Sequence, residues 1–188
     1  MTETTRVNFH IHSDLSDGAY SPETLASMLA RDGVRFAALS DHDCVEGVER
    51  FQEAMRPHRT ECITGVEIST SWRGIELHIL AYGFDEGDSD FRQTLHAIRK
   101  QRRIGFQTVI ESLRTTLQGA SGDIAEELES AHQDTKTLPP FGAEAIIQRV
   151  HDVGGLAFLA HPWVLSKDEN EVIRIVDELR EAGLDGVE

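Results

Sequence analysis

Cysteine is scarce in this sequence. The 188 residues include two, Cys44 and Cys62, which form no CxxC pair. Two cysteines make no disulfide framework, and their spacing is unlike that of a zinc knuckle. We therefore expect two reduced thiols, the usual state of cysteines in the cytoplasm.

Long apolar runs are also missing. No run approaches the roughly 18 residues that span a bilayer, although 39% of the residues are hydrophobic. The opening stretch MTETTRVNF lacks the basic and apolar regions of a signal peptide. We expect a cytoplasmic protein with a packed core, one domain over residues 1–188, and no membrane partner.

Positive charge is scarce as well. The 18 Lys and Arg residues stand against 33 Asp and Glu residues, so the net charge is −15. Such a surface repels duplex nucleic acid and anionic membranes at long range, which excludes duplex DNA as a partner. An anionic substrate stays compatible with this charge where bound metal cations reverse the local field.

The sequence is rich in short apolar segments that alternate with helical patterns. Strands are predicted at residues 7–13, 36–40, 62–71, 77–82 and 156–160 and from residue 184 onward. Helices are predicted at residues 22–30, 45–55, 91–117, 141–153 and 169–182. The polar segment 118–140 is expected to be a short helix with a surface loop, or partly disordered. This alternation predicts an α/β fold with a parallel sheet or a barrel.

Potential metal ligands collect where the predicted strands end. HIH closes the first strand, DHD follows the second, and AHP follows LAFL. Because the carboxyl ends of parallel strands meet at one edge, we expect these side chains to converge. The candidate set comprises His10, His12, Asp17, His42, Glu67, His78 and His161.

Each of these motifs alone has a structural explanation. HxH is common on strand surfaces, DHD suits a turn with an Asp cap, and SDG is an ordinary tight turn. Their joint placement favours a metal centre, since imidazole and carboxylate together suit Mn, Fe or Zn. A glutamate between two groups of histidines can bridge two ions. Two ions about 3.5–4 Å apart bind a phosphoryl group and activate water.

The motifs FHIHSDLSDG, ALSDHD, TGVEIS, ELHILAYG, LAFLAHP and GLDGVE, in this order, resemble the PHP domain (polymerase and histidinol phosphatase) superfamily of metal-dependent phosphoesterases. The resemblance covers most of the chain outside residues 91–140. HSDLSDG with SDHDCVEG is most similar to the branch of nucleotide phosphatases and bacterial 5′–3′ exoribonucleases. The implied fold is a distorted (β/α)7 barrel, of which about five strands and a hairpin strand are present, with a helical insert at about residues 88–140.

The resemblance also implies a role for each candidate ligand. His10 and His12 would bind a first ion, Glu67 would bridge it to a second ion completed by His78 and His161, and Asp17 and His42 would bind a third. The cofactors are two to three divalent ions, with Mn favoured and Fe or Zn as alternatives. A metal-activated water would hydrolyse phosphate monoesters of nucleotides, such as AMP or 3′,5′-bisphosphonucleotides, or short 5′-phosphorylated RNA.

Further candidates lie beside these motifs. Asp41 and Asp43 flank His42 and are expected to orient it. The basic segment RKQRR offers guanidinium groups for a substrate phosphate, since Arg makes bidentate contacts, although a solvated basic helix face is an equal alternative. The arginines concerned are Arg99, Arg102 and Arg103.

Family members continue beyond GLDGVE with more strands and a late Asp-x-His motif. We therefore expect a barrel that is incomplete at its C-terminus, with a second copy or another partner covering the open edge. Two other functions stay open: a phosphatase for a small metabolite such as histidinol phosphate, and a non-catalytic metal-binding or regulatory module. The SDG loop argues mildly against the first. The seven ligands present argue against the second, and the missing Asp-x-His motif argues for it.

Overall fold

The computed structural model describes residues 5–119 and 139–188, with the side chains of 106–119 left aside. The strands are β1 (Arg6–Asn8), β2 (Val34–Ala37), β3 (Glu61–Cys62), β4 (Gly65–Trp72), β5 (Ile75–Tyr82), β6 (Leu156–Leu159) and β7 (Gly186–Val187). The helices are α1 (Pro22–Arg31), α2 (Val48–Met55), α3 (Ser89–Gly119), α4 (Ala143–Asp152), α5 (Glu169–Glu181) and a 3₁₀ turn at Pro162–Val164. Most of the segment 118–140 lies outside the described residues.

The strands form two sheets. One is parallel with the order β1-β2-β3, and the other has the order β4-β5-β6-β7. In the second sheet, β5 runs antiparallel to both its neighbours, while β6 and β7 are parallel. The sheets meet after β2, where the amide of Asp43 donates to the carbonyl of Glu67 at 2.8 Å. The mixed α/β architecture predicted from the sequence is confirmed.

The predicted strand at residues 62–71 is in fact two strands in two sheets. β3 pairs with β2, and β4 starts three residues later and pairs with β5. The described part of the chain therefore has seven strands rather than five and a hairpin strand. The antiparallel pairing of β5 with β6 was also not predicted. It follows from the hairpin, because β5 runs back against β4 and meets β6 in the opposite direction.

The first strand is shorter than predicted. Regular pairing ends at Asn8, so His10 and His12 follow the strand instead of ending it. The reason is local: the amide of Ile11 donates to the Oγ of Ser40 at 2.8 Å rather than to a carbonyl of a neighbouring strand. The amide of Ser40 still donates to the carbonyl of Ile11, so the segment stays beside its neighbour.

Helix starts follow the cap signals of the sequence. Ser21 caps α1, its Oγ accepting from the amide of Thr24, and Pro22 opens the helix. Asp168 caps α5 in the same way. α2 starts at Val48 rather than at residue 45.

Two hydrophobic clusters hold these layers together. The larger lies under β4, β5 and β6, and the smaller lies between β2, α1, α2 and Ile11, which follows β1. Phe91, Leu95 and Ile98 bury one face of α3 in the larger cluster, with the spacing of an amphipathic helix. The position of α3 beside β4 is therefore fixed by packing. None of the helices within the described ranges is long and apolar enough to cross a membrane.

Candidate metal centre

Glu67 lies at the centre of a group of imidazoles. Its side chain is 1% exposed, and its Oε2 is 3.0 Å from the Nε2 atoms of both His10 and His12. Its Oε1 is 2.8 Å from Nδ1 of His78 and 2.9 Å from Nε2 of His161. Each carboxylate oxygen thus faces its own pair of histidines, as in a carboxylate placed to bridge two cations.

His42 and Asp17 extend this group on one side. Nε2 of His42 is 3.4 Å from Oε2 of Glu67 and 3.6 Å from Oδ2 of Asp17. The other oxygen of Asp17 is 3.2 Å from Nδ1 of His12. Asp17 is 60% exposed, in contrast to Glu67. All seven residues that the sequence selected as candidate ligands are therefore brought together.

The donor atoms suit transition-metal ions. Three overlapping groups have all their donor atoms within 4.8 Å of one another: His10, His12 and Glu67; His12, Asp17 and His42; His42, Glu67 and His78. Within the described part of the chain, the Nδ1 atoms of His42 and His161 are buried and have no hydrogen-bond partner. The other ring nitrogens of these two residues, the Nε2 atoms, face Glu67, and such a convergence of imidazole and carboxylate donors suits transition-metal ions. The residues present fit divalent metal ions.

The β4–β5 ladder sets the positions of Glu67 and His78. Ser69 is paired directly with His78, which makes Glu67 a diagonal neighbour of His78 on the same face. His161 follows β6 in a left-handed conformation, with φ of 31°. Few residues other than glycine adopt this conformation, and they do so mainly at functional sites.

The pKa values of His78 and His42 are shifted in opposite directions by their surroundings. Burial alone would raise the pKa of Glu67, but hydrogen bonds with three imidazoles hold it far below its usual range. Burial would lower the pKa of His78, yet its bonds to Glu67 and Glu76 raise it to about 9. Burial lowers the pKa of His42 to about 4, helped by the charge of Arg102 and against the attraction of Glu67. His42 is thus a neutral imidazole at pH 7, the form that binds metals.

Glu188 belongs to the same group and was missed in the sequence analysis. Its Oε1 is 2.9 Å from Nδ1 of His10, and its Oε2 accepts from the amide of His161 at 2.8 Å. Burial would raise the pKa of Glu188, but these bonds lower it. The signal was available, because Glu188 follows β7 just as His161 follows β6.

The two aspartates of DHD hold neighbouring segments. The carboxylate of Asp41 accepts from the amide and Oγ of Ser13 and from the Oγ of Ser16, each at 2.6 Å. Asp43 accepts from the amide of Ser69 at 2.7 Å and from its Oγ at 2.9 Å. In the described residues, neither carboxylate hydrogen-bonds to the imidazole between them. Orientation of that ring by the aspartates stays a prediction.

The three candidate arginines have different surroundings. Nη1 of Arg102 lies 3.3 Å from the Oγ of Ser69, beside the histidine group. Arg99 donates from Nη2 to the carbonyl of Leu15 at 2.7 Å. Arg103 is exposed on α3. Their predicted contact with a substrate phosphate has its best geometric support at Arg102.

The sequence of this chain is similar to a known domain family and to proteins of known activity. The sequence model of the PHP domain matches residues 8–185. The chain is 28% identical to a 5′-3′ exoribonuclease of Haemophilus influenzae, over 98% of this chain and 79% of that protein. It is 24% identical to a 3′,5′-nucleoside bisphosphate phosphatase of Chromobacterium violaceum, over 97% of this chain and 75% of that protein.

The fold is similar to a solved structure from Bifidobacterium adolescentis, assigned as a metal-dependent phosphoesterase. The TM-score is 0.77 at 22% identity, covering 99% of this chain and 77% of that one. The chain thus spans about three quarters of the length of each of these three proteins.

Proposed function

Because the chain belongs to the PHP domain family, we propose that it is a metal-dependent phosphoesterase acting on nucleotides or on short 5′-phosphorylated RNA. The observation that carries the proposal is the position of Glu67, whose two oxygens face separate pairs of imidazoles. Two cations joined by such a carboxylate form the arrangement that binds a phosphoryl group between them. The exoribonuclease and the bisphosphate phosphatase, both similar in sequence, support this substrate class.

The ligand assignment follows the contacts of the centre. The residues that would hold two to three divalent ions, Mn first and Fe or Zn as alternatives, are His10, His12, Asp17, His42, Glu67, His78 and His161. When bound, such ions lower the pKa of water and neutralise phosphate charge. Glu188 would fix the ring of His10 from behind, through the contact with Nδ1.

Arg102 is the residue we assign to the substrate phosphate. Its side chain is 41% exposed while Nη1 is anchored near Asp43 and Ser69, so the guanidinium combines a fixed position with access. A guanidinium can bind two phosphate oxygens at once. In a chain with a net charge of −15, this local cation counteracts the repulsion of an anionic substrate.

Trp163 favours a nucleotide over a small metabolite. It lies two residues after His161 in the 3₁₀ turn and is 65% exposed. Aromatic side chains stack on nucleobases with about 1–3 kcal/mol per base. The imidazole ring of histidinol phosphate is smaller than a nucleobase and offers less area for stacking on an exposed indole. A cytoplasmic location and a second copy or partner beside β7 belong to the same proposal.

The test compares three phosphorylated substrates on the purified protein with Mn²⁺: a 3′,5′-bisphosphonucleotide, a short 5′-phosphorylated RNA and histidinol phosphate. We expect the nucleotide or RNA to have the highest kcat/KM and His10→Ala to abolish hydrolysis. Trp163→Ala should raise KM for these substrates about fivefold to 150-fold, the range that the stacking energy implies. Val164→Ala, at the exposed neighbour, is the matched control.

Other results would decide for the alternatives. Equal or better turnover of histidinol phosphate, unaffected by Trp163→Ala, would reject the nucleotide assignment. A protein that binds metal and hydrolyses none of the three substrates would support a non-catalytic module.

A further inference from the structure

Asp17 differs from the other candidate ligands because its side chain is exposed. It lies in the Asp17 loop, defined here as residues 13–18, and is 60% exposed. Its two oxygens must nevertheless stay within reach of His12 and His42, at 3.2 and 3.6 Å. An exposed loop has many conformations, so these distances require contacts that hold the loop in place.

Asp41 holds the Asp17 loop from the protein interior. Its side chain accepts hydrogen bonds from Ser13 and Ser16 and is itself 1% exposed. Inside the loop, the amide of Gly18 donates to the carbonyl of Ser13 at 2.9 Å. A Cβ at Gly18 would lie 2.1 Å from the carbonyl oxygen of His12, so the turn closes only with glycine.

Arg99 holds the same loop from outside. Its Nη2 donates to the carbonyl of Leu15 at 2.7 Å, across 84 positions of sequence. Its Nη1 is 3.6 Å from Glu46, which lies on the segment that follows His42. The guanidinium therefore contacts both segments that carry the ligand group around Asp17.

The position of Arg99 is itself fixed. Phe91, Leu95 and Ile98 bury the core-facing side of α3, each at 2% exposure or less. Packing of this density fixes the backbone of the helix and therefore the point from which the Arg99 side chain extends. Arg99 thus supports the Asp17 loop from a packed helix.

We propose that Arg99 is a positioning residue, which fixes the Asp17 loop against α3 and so sets the affinity of the ion that Asp17 and His42 would hold. The proposal rests on the metal centre of the proposed function. It gives Arg99 a role through the loop, in place of the direct contact with a substrate phosphate that the RKQRR segment suggested.

The experiment compares Arg99→Met with Lys100→Met. Methionine keeps much of the side-chain length and removes the charge, and Lys100 is an exposed cation on the next position of α3. Bound Mn²⁺ is measured over a concentration series by equilibrium dialysis, with the Tm of the metal-free protein measured in parallel. We expect Arg99→Met to weaken one ion by about 10-fold to 100-fold, as loss of outer support does in metal sites, and to leave the others unchanged. Lys100→Met should match the parent.

Two further measurements separate positioning from other roles. Ser16→Ala removes one contact of the loop with Asp41 and should weaken the same ion. If Arg99 acts through the loop, activity of Arg99→Met recovers with excess Mn²⁺ while KM for substrate stays near that of the parent. A raised KM that excess Mn²⁺ does not correct would identify a substrate contact and overturn the proposal.

The remaining outcomes are equally distinct. A parent protein that binds no divalent ion would overturn the proposed function together with this inference. A parent that binds its full set, with Arg99→Met identical to it, would overturn the inference alone. Loss of all ions together with a lower metal-free Tm in Arg99→Met would indicate a general structural role and also overturn it.

Discussion

The metal centre has two parts that differ in construction. Glu67 and His78 lie within β4 and β5, two eight-residue strands paired along their whole length. His12, Asp17 and His42 lie in irregular segments that follow strands of three and four residues. In the strand-borne part, backbone pairing fixes the donor atoms. In the loop-borne part, side-chain hydrogen bonds must do so.

The two parts are therefore held in place by different neighbouring groups. In the strand-borne part, the ladder itself fixes His78 and the almost fully buried Glu67. The loop-borne part depends on Asp41 and Arg99, whose contacts reach Ser13, Ser16 and Leu15. We therefore expect ions to bind tightly between the strands and more weakly at the loop.

The largest effect is expected from Glu67→Gln, which changes the strand-borne part. An amide cannot bridge two cations as a carboxylate does, so metal content and hydrolysis should both collapse. We expect kcat/KM to fall by more than about 100-fold, because loss of a mere supporting group already costs up to that much. Glu61→Gln, an exposed position on β3, is the control and should keep both. Full metal content in Glu67→Gln would contradict the bridging role.

A smaller effect is expected from Asp17→Asn in the loop-borne part. This variant should lose one ion and keep the others, with activity reduced by about 10-fold to 100-fold. Asp14→Asn, an exposed aspartate of the same segment, should behave like the parent. Metal per chain by elemental analysis, together with hydrolysis rates, separates the two variants. Equal losses in both would show that the loop attracts ions by charge alone and would remove the distinction between the two parts.

The smallest effect is a difference in pH dependence between the two parts. With no ion bound, the pKa of His78 is raised to about 9, so at pH 7 a metal must displace its proton. The pKa of His42 is about 4, and no proton has to leave that ring. Affinity at the strand-borne part should therefore rise by up to about tenfold per unit between pH 6.5 and 9, and affinity at the loop much less.

The thermal stability of the metal-free protein tests the same protonation of His78. Its expected pH dependence is opposite to that of the metal affinity. The raised pKa of His78 stabilises the metal-free fold fully below its ordinary value of 6.5, and that contribution is lost as the pH rises through about 9. The metal-free Tm should fall over this range, while the stabilisation gained from added Mn²⁺ should grow. A metal-free Tm that rises from pH 6.5 to 9 would contradict the protonated His78.

Much of the centre was predictable because one topological rule decides it. Side chains at the carboxyl ends of parallel strands meet, and this rule brought HIH, DHD and AHP together before any distance was known. Glu67 and His78 lie within their strands, and their selection followed from the resemblance of TGVEIS and ELHILAYG to the PHP family. Their contact positions agree with the prediction, and their roles as ligands stay with the proposed function.

Two features could not be predicted from the sequence: the break between β3 and β4, and the hydrogen-bond partners of Asp41 and Asp43. CITGVEISTS has the pattern of one continuous strand, and its one interruption, Gly65, stands where β4 begins in the other sheet. The partners of Asp41 and Asp43 were hidden for a similar reason. Asp43 has a left-handed backbone, with φ of 51°, so it turns toward Ser69 while Asp41 turns toward Ser13. Sequence adjacency suggested a common target that the backbone does not allow.

The contact between His10 and Glu188 joins residues 178 positions apart. Loop closure over such a distance is slow compared with the formation of helices or of the β4–β5 hairpin. The candidate metal centre is therefore expected to assemble late in folding. We therefore expect metal to bind only after the fold is complete. When metal binding is followed over time during refolding, it should appear later than the secondary structure.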